Sequence, residues 1–248
     1  MTRWYRGALA ALVLAGAPAG PAEAAPSFDC RKARLPVEKA ICASRRLSDL
    51  DRLIARAYPV ALARLGEDAA AVAALKASQR LFLLTRNTQF DGPGDYSLEG
   101  HMASQLDLLR SIGPDPRSGL VGEWKTSEGT LFVGQPGKTG LSPVNARSVT
   151  QDSKRWTCEF LGEARIAGDT AIVEGRDRYR AEYAGWRLKL VKTGRLVSIE
   201  ALRPESKPGT DTYNPFCGMN GSLAGSYFPA DELPDNPCAG IPPGQCRE

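Results

Sequence analysis

Histidine is almost missing from this chain of 248 residues, where His101 stands alone. Hydrolytic triads need a base held beside a nucleophile, and the pattern puts His101 on the polar side of a helix, so His-based nucleophilic catalysis is not expected. Zinc loses its usual donors as well, because none of the six cysteines forms a C-x-x-C pair. The G-x-x-x-x-G-K-[ST], H-E-x-x-H and G-x-S-x-G arrangements are absent too. Glu38 and Asp51 are the nearest carboxylates to a glycosidase pair, but they lie on separate helices whose spacing the sequence does not set. The expectation is a non-enzymatic protein without cofactor or metal.

Charge of one sign is also lacking. With residues 1–24 removed the formal charge drops from +4 to +3, by loss of Arg3, Arg6 and Glu23. Up to Gly113 the remaining chain has 13 basic and 10 acidic residues, and 17 of each follow. No basic run with interleaved aromatics occurs, which argues against nucleic acid or a membrane surface as partner. The N-terminal apolar run ALAALVLAGA has ten residues, about half of the ~20 that span a bilayer. With Arg3 and Arg6 before it and Ala22-Glu23-Ala24 after it, the run reads as a signal peptide, residues 1–24, cleaved after Ala24. No Leu-x-x-Cys lipobox precedes Cys30. A periplasmic or secreted product without a stable membrane anchor is expected.

Export turns the cysteines toward disulfides. Six permit 15 connectivities, and sequence-local grouping suggests Cys30 with Cys42, Cys158 with Cys217, and Cys238 with Cys246. Loops of about 13 and about 60 residues for the first two would contribute about 3 and about 4 kcal/mol by the chain-entropy estimate.

Residues 25–112 carry helical periodicity. Pro36 suits the first position of a short helix, with Glu38 in its first turn. Leu47, Leu50, Ile54, Ala57 or Tyr58, Ala61 and Leu65 form one apolar stripe, with Asp51 and Arg52 facing elsewhere. Pro59 predicts a kink or break within that helix, and Gly66 its stop. Asp68 is the expected N-cap of an alanine-rich helix whose edge bears Val72, Leu75, Gln79, Phe82 or Leu83, and Arg86. Leu98, Met102, Leu106 and Leu109 mark a fourth helix. Residues 113–119, Gly-Pro-Asp-Pro-Arg-Ser-Gly, read as a linker.

From Leu120 the period changes to two. LVGEWKTS, GTLFVG, NARSVTQ, RWTCEFL, TAIVEG, RYRAEY, WRLKLV, RLVSIEA and finally GSLAGSYFP are short candidate strands separated by turn residues. Residues 120–229 are therefore expected to form an antiparallel β sandwich or small barrel, and 230–248 a Pro-rich tail tied by Cys238 and Cys246. The Gly122-x-Trp124 opening resembles that of a lipocalin-type barrel. The fold class is α+β in two domains, a helical bundle and then the β domain.

The stretches FDCRKARLPVEKAIC, LSDLDRLIARAY and SQRLFLLTRN together resemble the lysozyme-inhibitor LprI-like N-terminal domain family over about residues 28–110. The resemblance implies a small, disulfide-stapled helical module in which Glu38, Leu50, Asp51, Tyr58, Gln79, Arg80, Phe82 and Arg86 occupy motif positions, with Phe82 where relatives usually carry tryptophan. Relatives usually have two further cysteines, where Gln89 or Phe90, and Ser97, stand here. Their joint loss fits a Cys30–Cys42 pairing. Asp51 and Glu38 are expected to pair with Arg80 and Arg86 and lock the helices. The implied function is inhibition of a lysozyme or other muramidase, with Arg31, Lys32 and Arg34 offering the cations that its catalytic carboxylates would meet. The other reading is an envelope binding or scaffold module whose β domain holds a small apolar ligand or a protein.

Overall fold

The computed structural model describes residues 25–92, 96–113, 117–150, 155–175, 185–204 and 214–231. The signal stretch, the RYRAEY strand candidate and the Cys238–Cys246 pair lie outside them. Among the described residues four helices are followed by a closed antiparallel barrel of eight strands, so α+β is the class and, of the two β architectures expected, the barrel is the one formed.

A 3-10 turn, Cys30–Lys32, leads into α1, Pro36–Ala43, and the disulfide Cys30–Cys42 joins the two. Helix α2, Arg45–Leu65, starts on Ser44, whose side chain accepts from the Leu47 N–H, and stops at Gly66 with φ 62°. It continues through Pro59, so of the kink or break expected there the break does not occur. Pro59 and Ala55 are both exposed, so water can take the carbonyl that the missing N–H leaves free. Asp68 caps α3, Ala69–Gln89, by accepting from Ala71. Of the paired alternatives, Ala57 and Phe82 are buried, whereas Tyr58 is half-buried and Leu83 exposed.

Helix α4, Leu98–Ser111, departs furthest from expectation. His101, placed on its polar side by the pattern, is buried with 3% exposure, together with Gln105 and Ser111. A 3.6-residue stripe describes a helix covered on one side, but α4 is covered on two. It packs along α2 and against α3, whose Phe82 faces His101, and its end also meets the last barrel strand.

The barrel strands are β1 Gly122–Lys125, β2 Gly129–Val133, β3 Ser142–Val149, β4 Thr157–Ala167, β5 Thr170–Gly175, β6 Arg187–Thr193, β7 Leu196–Leu202 and β8 Gly225–Ala230. Each pairs with its chain neighbour and β1 closes on β8. Inward residues alternate with outward ones, as along β3, where Ser142, Val144, Ala146 and Ser148 point in. Trp124, Leu131, Leu188, Leu190, Val197 and Tyr227 fill the interior at 2% exposure or less, the usual state of a barrel with eight strands. The second disulfide, Cys158–Cys217, ties β4 to the segment before β8.

The expected linker does not hold the two parts at a distance. Ile112 bridges Ala230, Gly113 N–H donates to the Pro229 carbonyl and Asp231 N–H to that of Ser111. Arg117 stacks on Trp124 at 5.2 Å and donates to the Glu123 and Ala230 carbonyls. Strand β8 therefore runs one residue past 229 into the expected tail. Its Tyr227 belongs to the barrel core, and its next residue, Phe228, to the helical core.

Candidate functional site

The chemistry-bearing residues named from sequence fall into two groups, one inside the helices and one on their surface. Asp51 is only 7% exposed, a correction to its placement off the apolar face. Its carboxylate accepts from the Ser27 backbone N–H and hydroxyl, and Arg86 Nη1 lies 3.4 Å from it. A buried carboxylate is held by such a set because each lone pair it gives up to burial regains a donor. Arg86 in turn stacks over Phe82, 6.0 Å from the ring centre, and donates to Asn87. His101 meets Phe82 edge-on at 4.9 Å, and its Nδ1 lies 2.7 Å from the Tyr96 hydroxyl.

Burial, with the Arg86 charge second, lowers the His101 pKa from 6.5 to about 4, while burial raises the Tyr96 phenol to about 12. Both groups are therefore neutral at pH 7 and share one hydrogen bond between the Tyr96 hydroxyl and Nδ1. A histidine so enclosed, and already bonded, is a core residue. Gln105, fully buried, donates to Gln79 Oε1 at 2.8 Å. Leu50, Asp51, Gln79, Phe82 and Arg86 thus meet in or around one core, and Tyr58 packs against it. The other two motif positions behave differently from expectation. Arg80 is exposed and forms no ion pair among the described residues. Glu38 turns back on its own chain, Oε2 accepting from the Arg34 and Leu35 N–H groups at 2.7 and 3.0 Å, which lowers its pKa.

That turn shapes the surface group. Cys30 is held to Cys42, Asp29 accepts from the Arg31 N–H and caps the 3-10 turn, and Glu38 fastens the chain at the start of α1. Between these ties Arg31, Lys32 and Arg34 are all exposed, and so is Leu35 at 40%. Arg31 folds back on Asp29, with Nε and Nη2 at 3.1 and 3.0 Å from its two oxygens. Ala33 is buried beneath the loop. Sequence reasoning missed Ser27, Asp29, Leu35, Tyr96 and Gln105. Only the loop pair left a readable signal: Leu35-Pro36-x-Glu38 has Pro at the first helical position and Glu at the third, the pattern of a glutamate that reaches back to the N-cap backbone.

Open clefts on the barrel offer less. One of about 510 Å³ is lined by Trp186, Arg203, Asn214 and Met219, but Arg203 lies over Trp186 at 5.4 Å and covers the ring. Among the described residues no cluster of three His, Cys, Asp or Glu could hold a metal, and no helix is long and apolar enough to cross a membrane. No protein-family model, curated protein or solved structure matches this chain.

Proposed function

We propose that this is an exported, non-enzymatic protein whose helical part is an LprI-like domain that binds and blocks a lysozyme or other muramidase. The observation that carries the reading is the cationic loop: Arg31, Lys32 and Arg34 all face solvent on a segment fixed by the Cys30–Cys42 disulfide and by Glu38. A loop already held in one shape loses little conformational freedom on binding, which favours affinity. Cations offered to a cleft that contains two carboxylates supply charge complementarity. The two disulfides within the described residues suit an oxidising compartment. His101, the lone histidine, is enclosed in the core, which supports a binding rather than a catalytic role.

The test is inhibition of bacterial and host muramidases by the chain beginning at Ala25. Replacing Arg31, Lys32 and Arg34 together with serine is expected to raise the inhibition constant about tenfold or more, with far-ultraviolet circular dichroism unchanged. A folded wild-type protein that inhibits neither enzyme class would exclude the reading. The alternative is an envelope binding or scaffold module whose β domain holds a small apolar ligand or a protein, and the side chains that fill the interior disfavour its small-ligand form.

A further inference from the structure

Resting on the inhibitor reading, we infer that the contact edge is the exposed run Lys32–Leu35, two cations and a leucine, and that Arg31 braces the loop instead of touching the target. Arg31 already meets Asp29 through three bonds, one from its backbone and two from its guanidinium, so its charge is answered within the loop. Among the described residues the side chains of Lys32 and Arg34 have no ion pair. Ala33, which ends the 3-10 turn, is buried, while its two neighbours are exposed.

Lys32 and Arg34 thus offer two exposed cations, two residues apart, to the acid pair that a muramidase must keep open. Leu35 follows directly, extended at φ −73° and ψ 146°, with its orientation fixed by Pro36 and by the bond from its N–H to Glu38. An exposed leucine on a fixed backbone between a cation and a proline is an apolar anchor, and anchors of this kind supply affinity beside a charged contact. The target is accordingly a cleft with a dicarboxylate floor and an apolar subsite next to it.

Single replacements, assayed by inhibition of whichever muramidase the wild type blocks, separate this edge from the whole basic loop. Lys32→Ser, Arg34→Ser and Leu35→Ser should each raise the inhibition constant about tenfold, and Arg31→Ser less than about threefold. Glu38→Ala should weaken inhibition by loosening the turn, and Glu38→Gln, which keeps an acceptor oxygen, should restore it. Thermal melting of each variant removes unfolding as a cause. Leu35→Ser within twofold of wild type, or Arg31→Ser as damaging as Arg34→Ser, would overturn this assignment while leaving the inhibitor reading intact. Absence of any wild-type inhibition would overturn both.

Discussion

The helical part and the barrel bury different kinds of residue. Inside the barrel the described core is apolar apart from Ser142 and Ser148, whereas the helices enclose Asp51, Arg86, His101 and Gln105. A closed sheet satisfies its backbone through its own ladders and needs only side chains that fill it. Helices have no such ladder between them, and a buried pair such as Asp51 on α2 and Arg86 on α3 fixes which faces meet, because another register would strand a charge. The barrel interior is thus filled by its own side chains. The part with chemical individuality is the helical one, and it presents the exposed loop.

That contrast would break first at Phe228, which belongs to a barrel strand by backbone and to the helical core by side chain. Phe228→Ala should destabilise the protein by about 3–5 kcal/mol. Because Ile112 and Asp231 also bind the two parts through backbone bonds, calorimetry is expected to show one transition that moves as a whole. Two transitions, of which only one moves, would mean that the parts fold separately and share a boundary only by contact.

A somewhat smaller effect comes from His101. Its pKa is lowered in the folded state, so the unfolded chain takes up the proton more readily, and stability present above pH 6.5 is lost as pH falls from 6.5 toward 4. That span corresponds to about 3 kcal/mol. Asp29, Glu38 and Asp68, the carboxylates whose pKa is lowered, act at more acid pH, since their stabilising effect fades only below about 4.5. Urea unfolding at pH 7.0 and 4.5 should show the loss in the wild type and largely not in His101→Gln. An equal loss in both would place the acid sensitivity elsewhere.

Periodicity made most of this architecture legible. The change from period 3.6 to period 2 at Leu120 marks the start of the barrel, and eight of the nine candidate strands coincide with observed ones. Gly66 and Asp68 announced their caps because a cap is a local interaction. His101 was misplaced because its burial comes from Phe82 on α3 and from Tyr96 just before α4, and the periodicity of α4 alone does not contain those contacts. Glu38 was assigned to arginines on another helix although its own neighbours offered two N–H donors. The cationic loop was visible as composition, but the split between Arg31 and the run from Lys32 to Leu35 required knowing where Asp29 points.

The smallest effect is expected on the outer face of α3, where the comparison between the two parts is least settled by packing. Leu81 and Leu84 are 58% and 60% exposed, one turn apart beyond buried Phe82 and Arg86. If the helical core is complete as it stands, neither leucine contributes to it. Leu81→Gln and Leu84→Gln should then shift stability by less than about 0.5 kcal/mol each, the usual range for surface positions. Glutamine is nearly as good a helix former as leucine, so propensity would not mask the result. The urea midpoint, measured at two protein concentrations ten times apart, should be the same for wild type and variants. A loss above about 1 kcal/mol in the variants, together with a wild-type midpoint that rises with concentration, would mean that another copy of the chain covers this face and completes the helical core from outside.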